Sequence, residues 1–179
     1  MNDHGIVTAP GTLRIERLMP GPIERLWAYL TEPEKRRAWL AGGDMQLRPG
    51  GEVELVFRNS ELTDGDDRPP PKYEKYAGES RMRGRIVACE PPRLLSYTWG
   101  EGGDNVSEVS FELTPRADKV LLVVTHRNLA TRDDMLSVAG GWHAHLGILD
   151  DRLNGREPAG FWRTHARLEA EYERRIAPA

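Results

Sequence analysis

A long stretch near the carboxyl end of the chain constrains the fold more than any other feature of the sequence. Apolar residues recur there at helical spacing over about five turns: Met135, Val138, Ala139, Trp142, Leu146, Leu149 and Leu153. Thr131, followed by Arg132 and two aspartates, predicts the beginning of this helix, and Asn154-Gly155 predicts its end. A helix of this length with one apolar face must cover a large apolar surface elsewhere in the chain.

The segments that precede this helix predict the surface that it covers. Alternating apolar and polar residues, bounded by glycine and proline turns, predict strands over 12–19, 45–48, 52–58, 79–90, 94–99, 106–114 and 120–128. Two short helices are predicted between the first two of these strands. Because strand follows strand through short connections, the sheet is predicted to be antiparallel. The sequence therefore predicts an α+β fold in which one curved antiparallel sheet of about seven strands wraps around the long helix.

Two other segments are longer than this plan requires. Residues 59–77 contain Pro69-Pro70-Pro71 and have no regular period, which predicts either a gate beside a cavity or a disordered insertion. A shorter amphipathic helix is predicted within 156–175, and its apolar residues would pack across the back of the sheet or form a homodimer interface. The predicted organisation is a domain over 12–155 and a helical extension over 156–179.

Composition excludes several classes of protein. A length of 179 residues suits one domain, and the net charge of −3 is spread evenly, so no basic surface for nucleic acid is predicted. A single cysteine, Cys89, excludes a disulfide framework and a zinc site built from several thiolates of one chain. The chain has no apolar run long enough to cross a membrane, and residues 1–11 do not resemble a signal peptide. We therefore expect a soluble bacterial protein of the cytoplasm.

Motifs for metal binding or nucleophilic catalysis are not evident. His143 and His145 are two residues apart on the predicted long helix, so they project about 200° apart and cannot bind the same metal ion. Cys89 has no basic neighbour in sequence that would activate it, and no serine lies in a G-x-S-x-G motif. The sequence therefore predicts no metal, no cofactor and no catalytic residue.

Three local motifs, in chain order, resemble a known family. They are the stretch 24–34 followed by Arg37-Ala38-Trp39, the turn Pro49-Gly50-Gly51, and Gly141-Trp142 with Leu146, Leu149 and Leu153-Asn154-Gly155. Over residues 12–155 the chain thus resembles the activator-of-Hsp90-ATPase-like (AHSA1) family of the START/Bet v 1-like helix-grip superfamily. The resemblance implies a seven-stranded sheet around the long helix, with a cavity between them.

The resemblance implies several kinds of function, and a fold alone does not choose among them. Branches of the superfamily bind lipids or sterols, close polyketide rings or carry small hydrophobic ligands. We therefore expect the chain to bind a small hydrophobic or aromatic molecule in the cavity. The alternatives are an Hsp90-type chaperone partner or stress-response accessory, and a cyclase- or hydrolase-like enzyme that uses the same cavity.

Aromatic residues on the predicted elements suggest which side chains would line this cavity. The long helix would contribute Trp142, Leu146 and Leu149, and the remaining candidates are Phe57, Tyr97, Trp99, Phe111, His126 and Trp39. His126 shares the inward parity of its strand and would supply a polar contact. The same aromatic rings could instead fill an ordinary core, and a shift of one residue in strand register would turn the sheet residues outward.

Overall fold

An antiparallel β-sheet forms the framework of the protein in the computed structural model, which describes residues 3–64, 68–104 and 106–178. Within these ranges the sheet has seven strands: β1 (Ile6–Ala9), β2 (Thr12–Pro20), β3 (Glu52–Phe57), β4 (Ser80–Glu90), β5 (Leu94–Trp99), β6 (Ser107–Arg116) and β7 (Lys119–Arg127). Their spatial order is β1-β2-β7-β6-β5-β4-β3. The strands that are distant in sequence, β2 and β7, therefore lie side by side, and β1 and β3 form the two edges.

The helices confirm the predicted plan. They are α1 (Ile23–Thr31), α2 (Pro33–Arg36), α3 (Arg132–Leu153) and α4 (Phe161–Arg175). Helix α3 begins after Thr131, whose hydroxyl accepts a hydrogen bond of 3.0 Å from the backbone N–H of Asp134. Past its end, Gly155 has a left-handed φ of +68°, which a glycine adopts without strain. None of the helices in the described ranges is long and apolar enough to span a bilayer.

The apolar face of α3 and one face of the sheet form the core. Leu146 and Leu149 on α3 are completely buried. On the sheet, Phe111 of β6 lies opposite Val124 of β7, and both side chains are buried. This one-sided burial explains why the strands alternate in sequence, and it confirms an α+β fold in which the sheet and the long helix enclose one core.

The predicted strand over 45–48 is wrong. Residues 42–46 do run beside β3, but they make only isolated bridges, from Gly42 to Val56 and from Met45 to Val53. Between these bridges Gly43 has a φ of +94°, and a Cβ atom there would lie 2.1 Å from the carbonyl oxygen of Glu54. A left-handed residue so close to the neighbouring strand interrupts the regular ladder.

The seventh strand is instead β1, which the sequence analysis did not predict. Three of its four residues, Ile6, Val7 and Ala9, pair with β2 through a tight turn in which Gly11 has a φ of +69°. All four side chains of β1 are exposed, so this strand lacks the alternation of buried and exposed residues that identifies the others.

Helix α4 packs mainly against α3 and not across the back of the sheet, so the first of its two predicted positions is wrong. Its apolar and aromatic side chains are buried within the chain: Phe161, Trp162, Leu168 and Tyr172. The surface that suggested a homodimer is therefore used inside one subunit. The homodimer and the domain boundary after residue 155 both stay predictions.

The predicted loop over 59–77 contains two short 3₁₀ helices, Asn59–Glu61 and Pro71–Tyr76, and its residues 65–67 lie outside the described residues. The second 3₁₀ helix, which we call the strap, is attached to α4. The Tyr73 hydroxyl donates a hydrogen bond of 2.5 Å to Glu169, and the Lys72 ammonium forms an ion pair of 2.6 Å with the same carboxylate. The strap therefore packs on the fold and does not extend into solvent.

Candidate functional site

Trp142 lies at the centre of an aromatic cluster between α3 and the sheet. Its side chain is only 3% exposed, and its ring centroid lies 5.2 Å from that of Trp99 and 5.5 Å from that of Phe111. The ring centroid of Tyr97 lies 5.8 Å from that of Phe111, and the ring centroid of Phe57 lies 5.8 Å from that of Trp99. The rings around Trp142 meet edge to face, an arrangement that aromatic pairs favour. The structure therefore brings these five predicted residues together.

Two of the other predicted apolar residues lie farther along α3, and the third, Trp39, follows α2. Leu146 and Leu149 are fully buried, and Trp39 is also fully buried. The Trp39 indole N–H donates to the carbonyl of Tyr29 at 2.8 Å, and the Trp39 carbonyl accepts from Nδ1 of His145 at 2.8 Å. In the described part of the chain, Trp39 belongs to the same buried core as Trp142, but no aromatic pair joins it to the rings of the Trp142 cluster.

His126 joins the cluster through hydrogen bonds. The Trp142 indole N–H donates to Nδ1 of His126 at 3.0 Å, and Nε2 of His126 lies 2.9 Å from the hydroxyl oxygen of Ser107. Burial lowers the pKa of His126 to about 4, so the imidazole is neutral in neutral solution. The inward position expected for His126 is therefore correct, and its polar partners are Trp142 and Ser107.

Ser107 is a residue that sequence reasoning missed. It lies directly opposite Trp99 across the β5–β6 pair, two residues before Val109 on the inward face of β6. Its parity was visible in the sequence, but nothing marks a strand serine as polar lining until its partners are known. In the structure, its hydroxyl is hydrogen-bonded to His126, and its side chain borders the cleft described next.

A cleft of about 500 Å³ opens beside Trp99 and Ser107. Its other walls come from the β7–α3 connection, from the first turns of α3, where Val138 lies, and from Tyr76 of the strap. Trp142, Leu146 and Leu149 line none of the clefts found among the described residues, because they fill the space between α3 and the sheet. Of the predicted residues, Trp99 is the one that reaches this cleft.

The charged side chains along this cleft are carboxylates. In the described part of the chain, they are Glu101 in the β5–β6 turn and Asp134 in the first turn of α3. Glu101 forms an ion pair at the surface, since its Oε1 lies 3.8 Å from Nε of the exposed Arg85. The cleft thus combines aromatic walls with an acidic rim.

The histidines of α3 have separate partners, as their spacing predicted. His143 Nδ1 lies 2.9 Å from the hydroxyl of Tyr172 on α4, whereas His145 contacts the carbonyl of Trp39. Burial lowers the pKa of each to about 4. Within the described ranges, no group of three or more His, Cys, Asp or Glu side chains could hold a metal ion.

Comparison with known proteins gives the family. The family model for the activator of Hsp90 ATPase homolog 1-like protein (AHSA1) matches residues 20–154, which is well over half of the chain. The chain belongs to the AHSA1 family. The match runs from the end of β2 to the end of α3, so the AHSA1 region contains the aromatic cluster and the cleft. It leaves β1 and α4 outside.

Solved structures extend the comparison beyond the AHSA1 region. The protein encoded by gene BPP1335 from Bordetella parapertussis is 46% identical, with a TM-score of 0.81, and the match covers 98% of this chain and 91% of that chain. CalU16 from Micromonospora echinospora is 22% identical, with a TM-score of 0.66 and coverage of 91% and 86%. DynU16, from the dynemicin biosynthetic locus, is 17% identical, with a TM-score of 0.64 and coverage of 83% and 49%. The similarity to CalU16 and DynU16 shows a shared fold alone. A search of curated proteins gives no match.

Proposed function

We propose that this AHSA1 protein binds a small aromatic molecule in the cleft beside Trp99. The observation that carries the proposal is the position of Trp99, whose ring packs on Trp142 on one side and borders an open cleft of about 500 Å³ on another. Small-molecule sites are typically concave, rich in aromatic side chains and about 300–1,000 Å³ in volume. A planar ring in the cleft would therefore extend the aromatic cluster by one member.

The buried members of the cluster have a supporting role in this proposal. Trp142 and Tyr97 hold Trp99 from behind, and Leu146 and Leu149 fill the space that the sequence analysis expected to be a cavity. Direct contact between a ligand and these residues would require α3 to move away from the sheet. We therefore propose that Trp99 touches the ligand and that the buried residues keep its ring in place.

The acidic rim limits the class of ligand. Glu101 and Asp134 are the charged side chains along the described part of the cleft, and like charges across an interface disfavour binding. A neutral aromatic molecule fits this environment better than a fatty acid, whose carboxylate would meet the same sign of charge. The proposal therefore narrows the expected hydrophobic ligand to one without a negative charge.

The hydrogen bonds of His126 favour binding over a hydrolase reaction. A serine nucleophile needs a neighbouring base that accepts its proton. Here Nδ1 of His126 already accepts from Trp142, so Nε2 carries the ring proton and points toward Ser107. His126 is thus a donor to Ser107, which is opposite to the polarity that a serine–histidine pair would need.

Thermal unfolding with a ligand panel tests the proposal. The panel contains neutral flavonoids, aromatic polyketides, sterols and fatty acids. A ligand at 100 times its dissociation constant adds about 2.7 kcal/mol of stability, which should raise the unfolding midpoint by roughly 5–10 °C. We expect the shift for neutral aromatic compounds, its loss in Trp99→Ala, and its retention in the control Trp27→Ala, since Trp27 lies on α1 and lines none of the clefts described.

Absence of a shift with every class would overturn the binding proposal. The Hsp90-type partnership suggested by the family description would then be tested by pull-down with Hsp90. A chaperone contact would use an exposed surface, so it should survive Trp99→Ala. Ligand binding and an Hsp90 contact can therefore be distinguished with the same two variants, Trp99→Ala and Trp27→Ala.

A further inference from the structure

A chain of hydrogen bonds leads from α3 to the cleft, and its direction follows from its first member. An indole has one N–H donor and no acceptor, so the 3.0 Å contact between Trp142 and His126 can have only one polarity. Nδ1 of His126 is the acceptor and carries no proton. In a neutral imidazole the ring proton then lies on Nε2.

The second hydrogen bond continues in the same direction. Nε2 of His126 is 2.9 Å from the hydroxyl oxygen of Ser107, which must accept this bond. Burial keeps His126 neutral, because its pKa of about 4 lies well below neutral pH. Since the Ser107 oxygen accepts from His126, its own hydroxyl proton points elsewhere.

In the described part of the chain, the hydrogen-bond partner of the Ser107 hydroxyl is Nε2 of His126, which donates, so the hydroxyl proton has no acceptor there. The side chain is partly exposed, and Ser107 lines the cleft beside Trp99. A hydroxyl with a free proton beside the ring of Trp99 is a directional donor in the wall of the cleft. An acceptor atom on a bound molecule would complete the chain.

We propose that Ser107 selects aromatic ligands that carry a carbonyl oxygen, by donating its hydroxyl proton to that oxygen. This inference rests on the proposed function, because it needs a ligand in the cleft. A ketone attached to a ring provides a neutral acceptor in the plane of the aromatic system. A carboxylate is also an acceptor, but it would meet Glu101 and Asp134. The chemical class that fits is therefore a neutral aromatic ketone or quinone.

Fluorenone and fluorene form a matched pair of probes, since fluorenone has a carbonyl group where fluorene has a methylene group. We expect the wild-type protein to bind fluorenone about three- to tenfold more tightly than fluorene, the usual range for one neutral hydrogen bond. Ser107→Ala should bind the two equally. Ser110→Ala is the control, because Ser110 is on the same strand but its hydroxyl accepts from Arg127.

Infrared spectroscopy supplies a readout that a merely structural role would not change. A hydrogen bond lowers the stretching frequency of the fluorenone carbonyl, so we expect a lower frequency on wild-type protein than on Ser107→Ala. Nitrogen-15 NMR of the wild-type protein should show the proton of His126 on Nε2. Trp142→Phe keeps an aromatic ring but removes the indole donor, so it should weaken the preference for fluorenone.

Each outcome decides the inference. If the wild-type protein binds both probes equally, with no shift of the carbonyl frequency, ligand binding stands and the role of Ser107 is wrong. If neither probe binds, this inference fails, and the proposed function is then judged by the full ligand panel alone. A proton on Nδ1 of His126 in the wild-type protein would also overturn it, because the hydrogen-bond chain would then run the other way.

Discussion

Two buried histidines, His126 on β7 and His145 on α3, share the main cause of their lowered pKa but differ in what their hydrogen bonds reach. Burial lowers the pKa of both His126 and His145 to about 4. The His145 proton goes to the carbonyl of Trp39, which can only accept, so that chain ends inside the protein. The chain through His126 ends at Ser107 on an open cleft. A lowered pKa therefore marks burial, whereas the end of the hydrogen-bond chain shows which histidine is connected to an open cleft.

The largest expected effect tests the packing on the His126 side. Trp142→Ala removes a ring that contacts Trp99 and Phe111, and it leaves Nδ1 of His126 without a donor. Such substitutions cost about 3–5 kcal/mol, and the missing hydrogen bond adds to this. Chemical denaturation should show this loss, with Trp142→Phe losing clearly less. A loss under about 1 kcal/mol would contradict the filled core.

Acid should affect both histidines in the same direction. The folded pKa of each lies near 4, below the value of about 6.5 expected in the unfolded chain, so the unfolded state binds more protons between these values. Stability is therefore fully present above pH 6.5 and falls as the pH drops toward 4, by up to about 3 kcal/mol for each histidine. Denaturation curves at a series of pH values measure this slope.

His145→Gln sharpens the comparison, because a glutamine amide could still donate to the Trp39 carbonyl without titrating in this range. We expect the variant to lose a share of the acid sensitivity. An unchanged slope between pH 6.5 and 4 would show that His145 already titrates normally in the folded protein.

A smaller effect concerns the strap, whose Tyr73 is attached to α4 and whose Tyr76 lines the cleft. Tyr73→Phe removes the hydrogen bond to Glu169 but keeps the ring stacked on Trp162 at 6.1 Å. We expect a loss of about 1 kcal/mol in stability and faster proteolysis within 59–77. Arg81→Lys serves as a control for a surface change outside the strap. Unchanged proteolysis would show that this bond does not hold the strap in place.

Much of the fold could be predicted from periodicity. The spacing of apolar residues identified α3 and the long strands, and strand parity placed Phe111 and His126 on the inner face, where both are buried. The strand β1 was missed because its side chains are all exposed, and the strand over 45–48 was wrong because Gly43 interrupts it. Both errors arise because the alternation of apolar and polar residues indicates which side chains are buried. It does not indicate which backbone segments pair.

The candidate site was harder to predict than the fold. The pattern indicated that Trp142 faces the sheet, but it could not say whether its ring would fill the space or leave a cavity. That depends on the volumes and rotamers of facing side chains, which a sequence pattern does not specify. Ser107 became visible only through a partner 19 positions away in the chain, His126.

The attachment of the strap to α4 has a consequence for how the cleft is supported. Tyr76 forms one wall, yet the contacts that hold its segment come from Glu169 and Trp162, which lie beyond the region shared by the family. Homologues that lack α4 would have to support this wall in another way. The strap and α4 therefore form one support for the cleft, and a change in α4 can reach this wall without altering the helix that the sheet encloses.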